Sequence, residues 1–278
     1  MLSKLIKHEF YATGRYFLPL YAFIVVLTPL FSLAIRLMRD NPEEYLTRSS
    51  VGLSLTQGIL GATGVGGFIF MMIAIFIATF ILVILRFYRT TATSEAYLTF
   101  TLPVKPWQIL FSKTLSAFAW EIGSGIMALL AVTAMVCIAG FTSPSGIVNA
   151  MNTMCQSLFE YGFDSIGTMI ILLFTMIFGI LANIGTIYLA IMLGQLFPKN
   201  RVLISIGMYM AISVGLQFVT SIVTLPVIFG MSALAEEASS GTTFVNLTYL
   251  LTCIMDIVIA AASLIVSGFI MKKKLNVQ

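Results

Sequence analysis

The chain has 278 residues, of which 59% are hydrophobic and only 9% charged, against about 25% charged in an average globular domain. Fifteen basic and eleven acidic side chains cannot cover a folded chain of this size without large apolar patches, so a water-soluble domain is excluded. Apolar stretches of about 20 residues recur from end to end, continuous rather than alternating as barrel strands do, and this predicts an all-α membrane protein with one membrane domain over residues 1–278. Cys137, Cys155 and Cys253 are odd in number and lack a CxxC spacing, so neither a disulfide framework nor a zinc site is expected.

Residues 1–14 predict an interfacial helix. Leu2, Leu5, Ile6 and Phe10 share one face, Lys4, Lys7, His8 and Tyr11 the other, and Gly14 is placed to end the helix. Glu9 falls inside the apolar arc, where it either snorkels or pairs with a basic residue of a neighbouring loop. As the only histidine, His8 reads as a solvated surface residue. The first apolar stretch is too long for the core of a signal peptide and has no small-residue cleavage site after it, so it is expected to remain as a span.

Six segments pass the length test for spanning helices, at 17–38, 65–85, 115–140, 168–193, 202–230 and 249–271. With both termini cytoplasmic, only Arg36, Arg39 and Arg48 of the fifteen basic residues fall outside, as the positive-inside rule requires. The glycines at 58, 61, 64, 66 and 67 precede the second span and read as its flexible approach. Residues 86–113 then form a structured loop: Ser94 caps a short helix with Glu95 in its first turn, Tyr97, Leu98, Phe100 and Leu102 give it an apolar surface, and Pro103 ends it. Pro106 occupies the first position of the next helix, where a missing N–H costs nothing. Such a helix either docks a partner or floats its aromatics among lipid headgroups.

Later in the chain, Ile147, Met151, Met154 and Leu158 repeat at the spacing of a helix lying on the outer surface. Pro226 is expected to kink or end the fifth span before Glu236 and Glu237. Small residues such as Gly123, Gly125, Gly179, Gly185 and Gly207 punctuate the spans and suit close helix packing. Ser213, Gln217, Thr220, Ser221 and Thr224 fall near one face of the fifth span, and Thr248, Thr252 and Asp256 near one face of the sixth. These stripes either bond to neighbouring helices or line a route for cargo. Glu121 and Asp256 are the only intramembrane carboxylates, each either a structural hydrogen-bonding group or a functional one.

The run Glu95-Ala96-Tyr97-Leu98-Thr99-Phe100-Thr101-Leu102-Pro103-Val104, followed by Lys105-Pro106-Trp107-Gln108, and the opening Leu5-Ile6-Lys7-His8-Glu9-Phe10-Tyr11-Ala12-Thr13-Gly14-Arg15 resemble permease subunits of ABC-2 type ATP-binding-cassette transporters from Gram-positive bacteria. The resemblance covers the whole chain in layout and is motif-like in these two stretches. It implies a type V ABC exporter-like fold: an interfacial helix, six spans, and a coupling helix at 94–102 seated in a cytoplasmic ABC ATPase. Glu95, Tyr97, Leu98, Phe100, Leu102 and Pro103 would form that contact, and residues 194–201 a second, smaller one. It also implies pairing with a second permease copy or a related permease, and short helices after the fifth span that dip back into the membrane. A route where the second and fifth spans meet would be lined by Phe76, Thr79, Phe80 and Val83 opposite Ser213, Gln217 and Thr220.

No Gly-Lys pair occurs, hence no phosphate-cradling loop, so the chain is expected not to be an enzyme by itself, with ATP and Mg in the partner ATPase and no cofactor of its own. A route with so little charge suits amphipathic or hydrophobic cargo, such as membrane-active peptides exported across the plasma membrane. No nucleic-acid partner is expected. The competing reading is a proton-coupled secondary transporter using Glu121 and Asp256.

Overall fold

The computed structural model describes residues 2–39, 51–92, 104–140, 166–197, 200–234 and 241–273, with scattered positions between 146 and 156. They form six helices: α1 (Leu2–Arg39), α2 (Val51–Ala92), α3 (Pro106–Gly140), α4 (Ile166–Gly194), α5 (Arg201–Leu234) and α6 (Gly241–Lys273). There is no strand among the described residues, and all six helices are long and apolar enough to cross a membrane. Large apolar side chains such as Leu18, Phe70, Leu129, Leu203 and Phe229 point outward, the arrangement expected where lipid replaces water. Cys137 and Cys253 are free.

The described residues group into two compact units. One unit combines residues 10–82 and 119–158. Its core joins Ile24 of α1, Phe68, Met71 and Ile75 of α2, and Ala131 of α3. Polar groups stitch the same helices together: the Tyr21 hydroxyl donates to the Trp120 carbonyl at 3.0 Å and lies 3.0 Å from Ser124 Oγ, which also accepts from Thr79 at 3.2 Å.

The expected break at Gly14 is absent, because α1 runs unbroken from Leu2 to Arg39. Phe10, Gly14 and Phe17 lie four and three residues apart on one helix face, and Trp120 packs there. Its ring stacks on Phe10 at a centroid distance of 4.8 Å and on Phe17 at 5.0 Å. A Cβ at Gly14 would stand 2.9 Å from that ring, so the glycine admits a tryptophan and ends nothing. Similarly, the glycines at 58–67 belong to α2 itself. Gly64 and Gly67 lie against Ile35 and Phe31 of α1, which is close packing where flexibility was expected.

The second unit contains residues 1–9, 83–118 and 159–278. Here α4 packs most extensively on α6, less on α5, and α5 touches α6 least. Gly185 faces Ser263 and Gly194 faces Ser205, while Gly268 seats the Trp107 ring. Pro106 opens α3 as expected: Gln108 at its third position reaches back to the Lys105 N–H at 3.3 Å, and Lys105 O accepts from Gln108 N at 2.9 Å. Pro226 does not end α5, which continues to Leu234, and α6 resumes at Gly241, so no separate re-entrant helices intervene among the described residues. Pro19 and Pro29 likewise lie inside α1 without ending it, as prolines within spans often do. Within 146–160, residues 146, 148, 149, 152, 153 and 156 are helical, while Ile147, Met151, Met154 and Leu158 lie outside the described residues.

Gly14 and Gly125 make a direct test. Gly14→Val should displace the enclosed Trp120 and lower stability by about 1–3 kcal/mol, whereas Gly125→Ala, with nothing within 4 Å of the added carbon, should be neutral or up to about 1 kcal/mol stabilising. Thermal melting of the detergent-solubilised chain distinguishes the two outcomes.

Candidate functional site

On α5, Tyr209, Ser213 and Gln217 follow one another at four-residue spacing, and Thr220, Ser221 and Thr224 continue the stripe. On α4, Gly179, Asn183 and Thr186 occupy one face at spacings of four and three, and on α6 Thr252 and Asp256 are four apart. Because α5 and α6 touch little, these faces do not close on one another. They line a single open cleft of about 450 Å³, with Ala182, Leu216 and Ile259 as its apolar members. From Tyr209 to Thr224 the cleft follows α5 for a rise of about 22 Å at about 1.5 Å per residue, a large share of a hydrocarbon core about 30 Å thick.

Several lining hydroxyls are already engaged. Thr220 donates to Leu216 O and Gln217 O at 3.0 Å each, Thr224 to Thr220 O at 2.9 Å, Thr252 to Thr248 O at 2.9 Å and Thr186 to Asn183 O at 2.8 Å. Asp256 Oδ2 lies 3.4 Å from where a Cβ would stand on Gly179, so the glycine leaves room for the carboxylate at the α4 wall.

A second polar cluster lies where α1, α2 and α3 bring together the start of the chain and the two ends of the 93–105 segment. Glu9 Oε1 accepts from Lys113 Nζ at 2.7 Å, and Glu9 Oε2 from Arg86 Nη2 at 2.9 Å and Nε at 3.2 Å. The Lys113 side chain is 3% exposed and that of Glu9 12%, so this carboxylate is held between two cations rather than snorkelling. Tyr188 of α4 donates to the Lys113 carbonyl at 3.2 Å and stacks on Phe87 of α2, their ring centroids 3.7 Å apart. The arrangement ties α2 at Arg86 and Phe87 to α3 at Lys113 through one carboxylate and one tyrosine.

The structure therefore brings together Ser213, Gln217, Thr220 and Asp256, read from sequence as two separate stripes, and adds Asn183. Thr186, Tyr209 and Gly179 were not singled out as lining residues. Their signal is the helical spacing to Asn183 and Ser213. Thr248 is the backbone partner of Thr252 rather than a lining residue. The supposed α2 wall divides: Phe76 is exposed, Phe80 half-buried, and Thr79 and Val83 are buried, with Thr79 bonded to Ser124. Glu121 is half-buried on α3 in the first unit, whereas Asp256 belongs to the second. Glu95, Tyr97, Leu98, Phe100, Leu102 and Pro103, and with them the expected coupling helix, lie outside the described residues. No group of three or more His, Cys, Asp or Glu able to hold a metal occurs among the described residues.

Comparison with protein-family models, with curated proteins and with solved structures returns no match.

The ion cluster yields a stability prediction. Glu9→Gln should destabilise the chain by about 3 kcal/mol, because it leaves two enclosed cations without their counter-charge. Adding Lys113→Met should recover part of that loss, since it removes one of the cations. Melting temperatures of the parent, both single variants and the double variant form the cycle that checks this.

Proposed function

We propose that the chain is the membrane subunit of an ATP-driven exporter, and that the α4–α5–α6 cleft is part of the route for an amphipathic cargo. The observation that carries this reading is the cleft itself: a polar groove following α5 through much of the membrane thickness, with apolar residues interspersed and, among the described residues, one carboxylate. A site for an ion or a sugar needs a closed shell of ligands or many convergent hydrogen-bond partners. An open groove of mixed polarity suits a ligand with an apolar face and a polar one. Burying the apolar face contributes about 25 cal/mol per Å² without any ionic contact.

The exporter assignment rests on the resemblance of residues 5–15 and 95–108 to ABC-2 permeases; the missing phosphate-binding loop is consistent with ATP hydrolysis in a separate subunit. In this reading both termini face the cytoplasm and the 93–105 segment meets the ATPase. The Glu9–Arg86–Lys113 cluster supports that role by tying together α2 and α3, the helices on either side of the segment.

Purification from the native membrane should bring down a cytoplasmic ATPase. Tyr97→Ala combined with Phe100→Ala should weaken that association by about a hundredfold, on the scale of two interface hot spots. Gln217→Leu should leave the ATPase bound and change which peptides stimulate ATP hydrolysis. Proton-driven flux by the isolated chain, indifferent to ATP, would overturn the exporter reading.

A further inference from the structure

The cleft presents an unequal chemistry. A hydroxyl has one proton to donate and two lone pairs that accept. Thr186, Thr220, Thr224 and Thr252 each direct that proton to a carbonyl of their own helix, so their oxygens offer the cleft lone pairs. Asp256, when ionised, adds two oxygens that only accept. The amides of Asn183 and Gln217 can do either, and Ser213, Ser221 and Tyr209 keep hydroxyls at the wall. Among the described residues no lysine or arginine lines the cleft, so the formal charge there is that of ionised Asp256.

We propose that the cleft binds a protonated primary amine, with Asp256 as its counter-ion and the threonine oxygens accepting its N–H groups. An ammonium brings three donors and one positive charge, the complement of a wall that has one carboxylate and an excess of acceptors. A cation within a membrane is costly unless an opposite charge meets it, and Asp256 supplies that charge at a place where Gly179 leaves the carboxylate room. An anionic group would face the carboxylate and the lone pairs together. A quaternary ammonium would satisfy the charge but leave the acceptors without donors. This narrows the cargo of the proposed route to amphipathic molecules bearing a free amine, such as a lysine side chain or a peptide N-terminus. It rests on the reading of the cleft as a binding groove, but not on the partner ATPase.

The test uses the full chain in phosphatidylcholine nanodiscs, whose zwitterionic surface does not itself concentrate cations. The probes are a dansyl-labelled alkyl primary amine, its trimethylammonium counterpart and its N-acetyl counterpart, each corrected for chain-free nanodiscs. The primary amine should bind at least tenfold more tightly than the N-acetyl form, with the trimethylammonium between them. Asp256→Asn should reduce the primary amine to the N-acetyl level, and Asp256→Glu should retain most of the affinity. Gly179→Val, which crowds the carboxylate without altering charge, should lower amine affinity severalfold in chains whose melting temperature matches the parent. Equal binding of amine and N-acetyl probes, or amine binding unchanged in Asp256→Asn, overturns the proposal. The assay contains neither ATPase nor ATP: Asp256-dependent amine binding by a chain that captures no ATPase would keep the amine site and remove the exporter, and the converse result would do the reverse.

Discussion

In helices this apolar, a hydroxyl proton has to find an acceptor within the protein, and the nearest is the carbonyl one turn earlier on the same helix. Thr28, Ser32, Thr90, Thr91, Thr114, Ser205 and Ser267 all resolve their protons this way. That local solution lets polar residues be distributed along spans without a partner helix for each. It also decides what the remaining polar groups can do. Where threonines on three helices face a common space, they arrive with their protons committed, and their oxygens add acceptors to it. The character of the cleft thus follows from the same constraint that makes its walls tolerable in lipid.

Some polar groups depart from this local pattern by bonding between helices, as Thr175 of α4 does to the Tyr249 carbonyl of α6 at 3.3 Å. In the first unit, Tyr21, Ser124 and Thr79 join α1, α3 and α2. In the second, Glu9 gathers Arg86 and Lys113, and Tyr188 adds α4 to the same group. A carboxylate between two cations offsets its desolvation only with short contacts, and those of Glu9 are 2.7 and 2.9 Å. Tyr188 stands five residues beyond Asn183 and two beyond Thr186 on α4, so the helix that closes on the root of the 93–105 segment also forms a wall of the cleft. A rigid α4 gives the two regions a shared frame.

Much of this was legible in the sequence, and the failures have physical causes. Six apolar stretches of sufficient length are read directly, because lipid allows a spanning chain few alternatives. The stripes on α5 and α6 are equally visible, since periodicity reports a helix face whatever lies opposite. What periodicity does not report is which faces meet: only packing shows that Asn183 of α4 completes the cleft. Glycine and proline misled for a related reason. In water, Gly14 after an amphipathic helix reads as a stop and Pro226 as a kink or an end, of which the end does not occur. Within a span the helix is hard to leave, because unpaired backbone groups would face hydrocarbon. Gly14 instead accommodates Trp120, and Pro226 is carried inside α5. Glu9 left two readings open, and only the positions of Arg86 and Lys113 select between them.

The cleft opens where it does because α4, α5 and α6 differ in what they offer each other. The α4–α6 contact is built from small residues, with Gly185 against Ser263 and Gly179 admitting Asp256, so the two backbones approach closely and dispersion replaces the absent hydrophobic drive. The face of α5 toward the same space carries Tyr209, Gln217 and three threonine or serine residues between 220 and 224. These side chains are too long or too polar to interlock as a dry seam, and α5 accordingly makes its firm contact with α4 near Gly194 and Ser205, where both residues are small. From that anchored end α5 runs along α4 with its polar face uncovered by α6. An apolar stripe at those positions would have sealed the three helices into an ordinary bundle; Gln217 and the threonines hold the groove open, and Asp256 gives it its charge.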